Sequence, residues 1–279
     1  MNPTSDANIR QTLAHNELGT LLRYWRSARG KSQLDVSLDT GISQRHISFI
    51  ESGRSAPSRQ TLTDIAQSLD IPFRERNTLL QAAGYAAMYP DSPLEAVEMQ
   101  GIYKALHRML SQHTPFPAMV MDRYWNILLA NDDTPRFFGC FIDMSLHPKP
   151  RNMLHLIFDP NGMRPFVAQW DKTAQSLIQR VKRESVGRVI DEKTSELLSA
   201  LYAYPDVEPD WLDANYADKA SQLPVIPLSF IKDGTVMNYF SMVTTVGTPQ
   251  TISAQELRIE CMFPSDDATE MEHIQMLAH

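Results

Sequence analysis

Apolar residues recur three and four positions apart through the first eighty residues, and turn residues punctuate them at short intervals. Leu18, Leu21, Leu22 and Trp25 predict an opening helix from Glu17 to Ala28, ended by Gly30. Ser32 caps a second helix carrying Leu34, Val36 and Leu38, and Gly41 supplies the left-handed residue that ends it. Ser43 caps a third, with Ile47 and Ile50 three apart on its inward face and Gly53 and Pro57 beyond its end. Ser58 caps a fourth that runs to about Leu69 through Leu62, Ile65 and Ala66, and a fifth from Phe73 to Ala83 closes the bundle.

From Tyr85 to Ala96, two prolines and several small residues predict a linker with a boundary near Asp91, so that residues 1–90 and 91–279 form separate domains. A helix follows from Leu94 to Ser111, with Val97, Ile102, Ala105, Leu106, Met109 and Leu110 at helical spacing; it docks on the second domain or pairs with a symmetry mate. Met119 to Met121 and Tyr124 to Leu129 are short apolar runs around Asp122 and Arg123, which predicts a hairpin. Asn131 then caps a helix whose first turn carries Asp132 and Asp133, as the helix dipole favours. Helical periods continue over Met153 to Phe158, Phe166 to Glu184 and Asp191 to Ala203. Strand patterning returns over Val225 to Ile231, Thr235 to Val246 and Glu256 to Phe263, with the turn Lys232-Asp233-Gly234 between the first two. Two strands, several helices and three strands resemble the chain order of a PAS-like domain, a five-stranded antiparallel sheet with helices over one face. The expected fold class is multidomain, α followed by α+β.

The third helix carries the candidate chemistry. With Ile47 and Ile50 turned inward, Gln44, Arg45, His46 and Ser48 face out near its N-terminal end beside Ser43, where a recognition helix meets base edges. Gln33 is placed to touch the DNA backbone, and Arg54 and Arg59, on either side of Pro57, are placed to touch phosphate or the minor groove; the alternative for each arginine is a solvated charge. Phe49 makes no hydrogen bond to a base edge, so it contacts a thymine methyl group or packs against the linker.

The two helices, the I-S-x-I-E-S-G ending from Ile47 to Gly53, and P-S-x-x-T-L-x-x-I-A-x-x-L from Pro57 to Leu69 resemble the XRE (Cro-type) helix-turn-helix family, which includes the phage repressors. The match covers about Leu18 to Gly84. It implies a five-helix, lambda-repressor-like fold that reads double-stranded operator DNA, and an ion pair between Arg26 and Glu51 that sets the angle between the first and third helices. Ser37 stands where a small Ala is usual, and Phe49 stands at a position that often carries a polar base-reader.

A second resemblance lies further along. V-M-D-R-Y-W-N-I-L-L-A-N from Val120 to Asn131, N-M-L-H-L-I-F from Asn152 to Phe158, the spacing of Trp170 and Ala174, and the late strand pair look like the ligand-binding domain of MmyB-like transcription regulators. The order of an XRE domain followed by this domain is that family's arrangement. The His-Pro-x-x-Gly usual before the late strands is replaced by Leu223-Pro224-Val225-Ile226-Pro227. The resemblance implies a cavity suited to a small apolar, fatty-acid-like ligand, and the residues agree in kind. Met119, Met121, Trp125, Ile127, Phe137, Phe138, Phe141, Leu154, Phe158, Trp170, Phe230, Tyr239, Phe240 and Met242 supply flexible thioethers, aliphatic groups and flat rings for a lining, although the same side chains suit a filled core.

Composition sharpens this picture in three places. The chain's 279 residues exceed what one small DNA-binding module needs. Its net charge of −7 looks wrong for a partner of a polyanion, but Met1 to Pro90 hold ten Lys and Arg against eight Asp and Glu, leaving sixteen against twenty-five for the rest. The acid therefore lies in the second domain, and the first is free to approach phosphate. Cys140 and Cys261 stand far apart without a C-x-x-C spacing, the N-terminus is polar and no apolar run reaches bilayer length, which predicts a cytoplasmic protein with no membrane partner.

Nothing in the sequence points to an enzyme. G-x-S-x-G, a phosphate-cradling P-loop and H-E-x-x-H are all missing, and His107, His113, His147 and His155 are scattered without metal-ligand spacing. Neither a metal nor a cofactor is expected. The expectation is a homodimeric transcription regulator, because one recognition helix reads only a few base pairs and useful specificity takes two half-sites about 34 Å apart. The alternative is a repressor or antitoxin-like protein whose second domain is an interaction module for another protein and takes no small-molecule ligand.

Overall fold

The computed structural model describes residues 17–147, 149–185, 191–208 and 228–278. The chain divides into two compact units: one extends to Ser92 and also takes Thr248–Gln255, and the other comprises Pro93–Gly247 and Glu256–His279. The return of Thr248–Gln255 to the first unit is a feature that no composition shift marks.

The described residues up to Ser92 form five helices: α1 (17–28), α2 (Gln33–Thr40), α3 (Gln44–Glu51), α4 (Arg59–Ser68) and α5 (Phe73–Ala82). Their ends follow the local chemistry of the sequence. Ser32 accepts the Asp35 N–H while the Asp35 carboxylate accepts the Ser32 N–H at 2.7 Å, a reciprocal capping box that starts α2. Gly41 ends it at φ 72°, a conformation in which a Cβ would be strained. Ser43 and Ser58 cap α3 and α4. The bundle closes over Leu18, Leu22, Trp25, Val36, Ile47, Ile50, Leu62 and Ile65, all buried.

One expectation about α2 is corrected. Leu34 and Leu38 are 51% and 76% exposed, and of the three apolar residues only Val36 is buried. At 100° per residue, positions 34 and 38 share a face while position 36 lies nearly opposite, so burying Val36 turns both leucines outward.

The second unit is built on a five-stranded antiparallel sheet in the order β2-β1-β5-β4-β3. Its strands are β1 (Ala118–Met121), β2 (Ile127–Ala130), β3 (Leu228–Lys232), β4 (Thr235–Thr244) and β5 (Arg258–Pro264). This is the PAS-like sheet expected of the sequence. Cross-strand partners face the same way, so Met119 with Glu260, Met121 with Arg258, Ser241 with Met262 and Phe230 with Met237 stand on one face. Over that face lie α7 (Asp133–Gly139), α8 (Met153–Phe158), α9 (Trp170–Glu184) and α10 (Glu192–Tyr202), whose inward residues share one core with the strands. The helix α6 (Gln100–Ser111) packs against β1.

Several boundaries differ from the sequence pattern. The turn between β1 and β2 is longer than two residues, because Asp122 Oδ1 accepts the N–H groups of Tyr124 and Asn126 at 2.8 and 2.9 Å and holds Trp125 at φ 69°. Asn131, expected to cap α7, lies one residue before the N-cap Asp132, yet its side chain still accepts the Thr134 N–H at 3.1 Å. The long helix begins only at Trp170, after a separate 3-10 turn over Arg164–Phe166. Glu256, expected to open the third late strand, instead ends a short helix, α11 (Ile252–Glu256), that was not foreseen; the strand starts at Arg258, and a second unforeseen helix, α12 (Asp267–Ala278), follows β5. The expected strand residues Val225 and Ile226 and the Leu223–Pro227 segment lie outside the described residues.

Candidate DNA interface and ligand cavity

The two ends of α3 are treated differently by the fold. At its C-terminal end the Glu51 carboxylate is buried and receives Arg26 through two bonds, Nε to Oε1 at 2.7 Å and Nη2 to Oε2 at 3.0 Å. Arg23 Nη2 donates to the Glu51 backbone oxygen at 2.9 Å. Cations at this end complement the helix dipole, and the hydrogen bond to Glu51 holds the Arg26 guanidinium above its ordinary pKa. The ion pair implied by the family resemblance is therefore present.

At its N-terminal end, Ser43, Gln44 and Arg45 are exposed and His46 and Ser48 are half-buried. The Arg45 guanidinium lies over the Phe49 ring, 5.2 Å from its centre, one helical turn away. Phe49 thus has a contact that neither sequence reading foresaw: it supports a neighbouring cation and limits its rotamers. His46 Nε2 stands 3.5 Å from Ser55 Oγ. Arg54 and Arg59 are exposed, and Arg59 stacks over Tyr85 at 5.5 Å, whose hydroxyl donates to Pro57 O at 3.0 Å. Gln33 is half-buried and gives an amide hydrogen to Glu51 Oε2 at 2.8 Å, so this residue is fastened to the end of α3 as well as lying at the start of α2.

In the second unit a cavity of about 450 Å³ opens between α9 and the strands. Trp125, Met153, Ile157, Leu177, Leu228 and Phe240 form its apolar wall. Its other wall is polar, with Thr173, Ser176, Arg180 and Arg183 along one face of α9, joined by Glu184 and Glu260. The charges are mostly matched. Arg180 donates to both Glu260 oxygens at 2.8 and 3.1 Å and to Glu184 Oε1 at 2.7 Å. Burial alone would push the Arg180 guanidinium down, but these two carboxylates outweigh it and hold it above its ordinary pKa. Arg258 also binds Glu184, through its carboxylate at 3.3 Å and its backbone oxygen. Arg183 has no ion-pair partner among the described residues, so although the wall's two arginines and two glutamates balance in number, Arg183 is left unmatched because Arg258 takes a share of Glu184.

Of the fourteen residues expected to line a cavity, Trp125 and Phe240 do so. Met119, Met121, Phe137, Phe138, Leu154, Phe158, Phe230 and Tyr239 are fully buried in the core. Phe137 packs edge-on against Phe138, Phe141, Phe230 and Tyr239, with ring centres 5.3 to 5.5 Å apart, so these rings fill space against one another. Ile127, Phe141 and Trp170 pack on the edge of the core. Met242 corrects the expectation outright: it pairs with Cys261 on the opposite face of the sheet and is 55% exposed. The charged wall was missed. Its signals were the polar residues three and four apart in α9 and the alternation of Arg258 and Glu260 with apolar residues in β5.

Among the described residues, no group of three or more His, Cys, Asp or Glu side chains could hold a metal ion, and no helix is long and apolar enough to cross a membrane. Residues 102–273 match the family described as the MmyB-like transcription regulator ligand binding domain, and residues 22–76 match the helix-turn-helix family. The chain belongs to the MmyB-like transcription regulators. It is a DNA-binding transcription regulator with a ligand-binding domain, and both of its matched families are regulator domains rather than enzymes. No curated protein matches it. Within the matched regions lie both features built up above, the edge of α3 in one and the 450 Å³ cavity in the other.

Proposed function

We propose that this regulator reads a specific, approximately palindromic operator as a cytoplasmic homodimer, and that its second unit binds a small, largely apolar ligand in the cavity beside α9. The observation that carries the DNA reading is the asymmetry of α3, whose C-terminal end is locked by Arg23 and Arg26 while its N-terminal edge is open to solvent. A rigidly held helix with free backbone N–H groups and a cation at its start suits entry into a major groove. Gln44 and Arg45 take the base edges, with Ser43, His46 and Ser48 beside them. Arg54 and Arg59 take phosphate, and Gln33 contributes a backbone contact from the start of α2.

Dimerisation follows from the small number of base pairs that one such helix reads. The cavity's lining sets the chemistry of the ligand. An aliphatic or aromatic body rests against Trp125, Leu177 and Leu228, and a polar or negatively charged end meets Arg183. The mixed wall favours a small molecule over the protein-interaction alternative, since a protein partner needs a broad surface rather than a recess of this size.

Selection from random duplexes with the full-length protein tests the DNA reading. Replacing Arg45 by Ala weakens binding to the selected site by about 1 to 3 kcal/mol if it pairs with a guanine, with a much smaller loss on random DNA. An equal loss on both would reduce Arg45 to a phosphate contact. Native mass spectrometry of gently purified protein tests the cavity: a bound small molecule lost on heating supports it, and a tightly held polypeptide favours the interaction module.

A further inference from the structure

Several arginines of the first unit spend their donors inside it. Arg23 gives Nη2 to Glu51 O at 2.9 Å, Arg29 gives Nε to Leu69 O at 2.8 Å, and Arg76 gives Nε to Ile71 O at 2.6 Å. Arg45 spends none. It is exposed near the start of α3, and among the described residues its N–H groups have no protein acceptor; its contact is the Phe49 ring, 5.2 Å from the guanidinium carbon. A guanidinium lying over a ring uses its π face, so its five N–H donors, which point outward in its own plane, stay free for a pair of acceptors.

Phe49 is an apolar ring that the bundle does not swallow. Its neighbours Ile47 and Ile50 are buried at 2% and 1% exposure, whereas Phe49 is half-buried and stands outside the core. Its backbone is fixed, since Phe49 O accepts the Arg54 N–H at 2.8 Å and the Ser55 N–H at 3.2 Å. Positions 45 and 49 share one face of α3, and a ring at 49 leans back toward the helix start and so toward position 45. Four residues advance about 6 Å along the axis, close to two base-pair rises of about 3.4 Å, but stacking draws the guanidinium over the ring and shortens that reach to adjoining base pairs. His46 does not compete for the same step, because its Nε2 lies 3.5 Å from Ser55 Oγ in the loop beyond α3.

We infer that Arg45 and Phe49 form one composite reader for a guanine and a thymine on adjoining base pairs: Arg45 donates two hydrogen bonds to guanine O6 and N7, and the Phe49 ring packs against the C5-methyl group of the thymine. The inference rests on the proposed docking of α3 in the major groove. Each half matches a known chemistry of base edges, the fork of arginine on guanine and an apolar surface on the thymine methyl. The ring serves both halves. It buries the methyl group, and it holds the guanidinium in place before DNA arrives, so that less freedom of a long side chain is lost on binding. A polar residue at position 49 would add a hydrogen bond to a base edge but would leave Arg45 unsupported.

The test alters the DNA first and the protein second. Sites are selected by the full-length protein from random duplexes, and affinity is measured for the selected site, for the same site with deoxyuridine in place of the thymine beside the guanine, and for the same site with 7-deazaguanine. The two base pairs are expected side by side. Removing the methyl group costs the parent about fourfold, as for one buried methyl, and removing N7 costs about fivefold or more. With Phe49→Ala the deoxyuridine site binds as well as the thymine site. Phe49→Leu keeps an apolar contact but has no ring, so the methyl effect persists while the selected site weakens by about two- to fivefold and random duplexes bind as before. The composite reader is overturned, with the DNA reading left standing, by a parent indifferent to the methyl group or to N7, by a methyl effect that survives in Phe49→Ala, by full affinity in Phe49→Leu, or by selected sites in which no thymine adjoins the guanine. A protein that selects no duplex removes the DNA reading itself, and the reader goes with it.

Discussion

Glu51 offers the sharpest test of how the recognition helix is held. Its side chain is 4% exposed and accepts three donors, two from Arg26 and one from Gln33. Glu51→Ala leaves the Arg26 guanidinium, itself only 16% exposed, without its partner and leaves the Gln33 amide unsatisfied. Breaking a buried pair from one side costs about 3 to 5 kcal/mol, because the surviving charge stays desolvated. The lower end applies here, since Arg26 also donates to Lys31 O at 2.9 Å and keeps that bond. Native-state hydrogen exchange in α1 and α3 should then accelerate on the order of a hundredfold. The reasoning also requires asymmetry. Replacing both partners by apolar residues of similar size, Arg26→Met with Glu51→Leu, should recover most of the loss. If Glu51→Ala changes exchange less than about threefold, or if the double replacement is as damaging as the single one, the pair is not what fixes α3.

Other consequences follow from single positions. A Cβ on Gly19 would stand 2.3 Å from the Glu51 backbone oxygen, so Gly19→Ala should force α1 away from α3 and destabilise the bundle by about 1 to 3 kcal/mol, read by urea unfolding. His273 is fully buried, accepts or shares the Tyr239 hydroxyl at 2.8 Å and meets Pro115 O at 3.0 Å, and burial pushes its pKa below the ordinary value. The unfolded imidazole therefore takes up a proton first, and stability present above about pH 6.5 should fall as the pH drops from there toward the lower folded pKa. His155, also pushed down by burial, adds to the same slope. His273→Gln should flatten part of it, and an unchanged pH dependence would remove His273 from the account. Met242→Gln, on the exposed face, should alter stability by no more than about 0.5 kcal/mol, whereas Met262→Gln, on the covered face, should cost about 1 to 3 kcal/mol. Similar losses for the two would mean that the face of Met242 is covered in solution.

Much of the first unit was legible because its signals are local. Ser32, Ser43 and Ser58 cap the helices they precede, and Gly41 ends α2 where a left-handed residue was needed. Leu34 and Leu38 misled because apolar residues two apart share no helical face, and their identity outweighed their spacing. In the second unit the strands were readable from short apolar runs set between turn residues, but the cavity was not. Cavities arise from how side chains from distant elements fail to meet, and aromatic content says nothing about that. Phe137, Phe230 and Tyr239 interlock, while the space opens beside Thr173, Arg180 and Glu260, types that composition assigns to the surface. The part played by Thr248–Gln255 was hidden for the same reason, since Gln255 serves a helix 182 residues earlier.

The charged wall gives the cavity a property that an apolar lining would lack. Arg180, Arg258, Glu184 and Glu260 form a cluster largely shielded from water, and such clusters seldom add stability over well-packed hydrophobic residues. What they add is a set of discrete arrangements, because each guanidinium has a fixed fork and each carboxylate two oxygens. Glu184 is shared between Arg180 and Arg258, so an anion brought close to Arg183 competes for the same local field and favours a different sharing. Trp125 lies under both arginines. Ligand charge is then a variable to which the wall responds, and a matched pair of probes, decanoate and decanol, separates it from ligand size: decanoate should alter amide exchange in α9 beyond what decanol does, and equal effects would assign the wall a purely structural part.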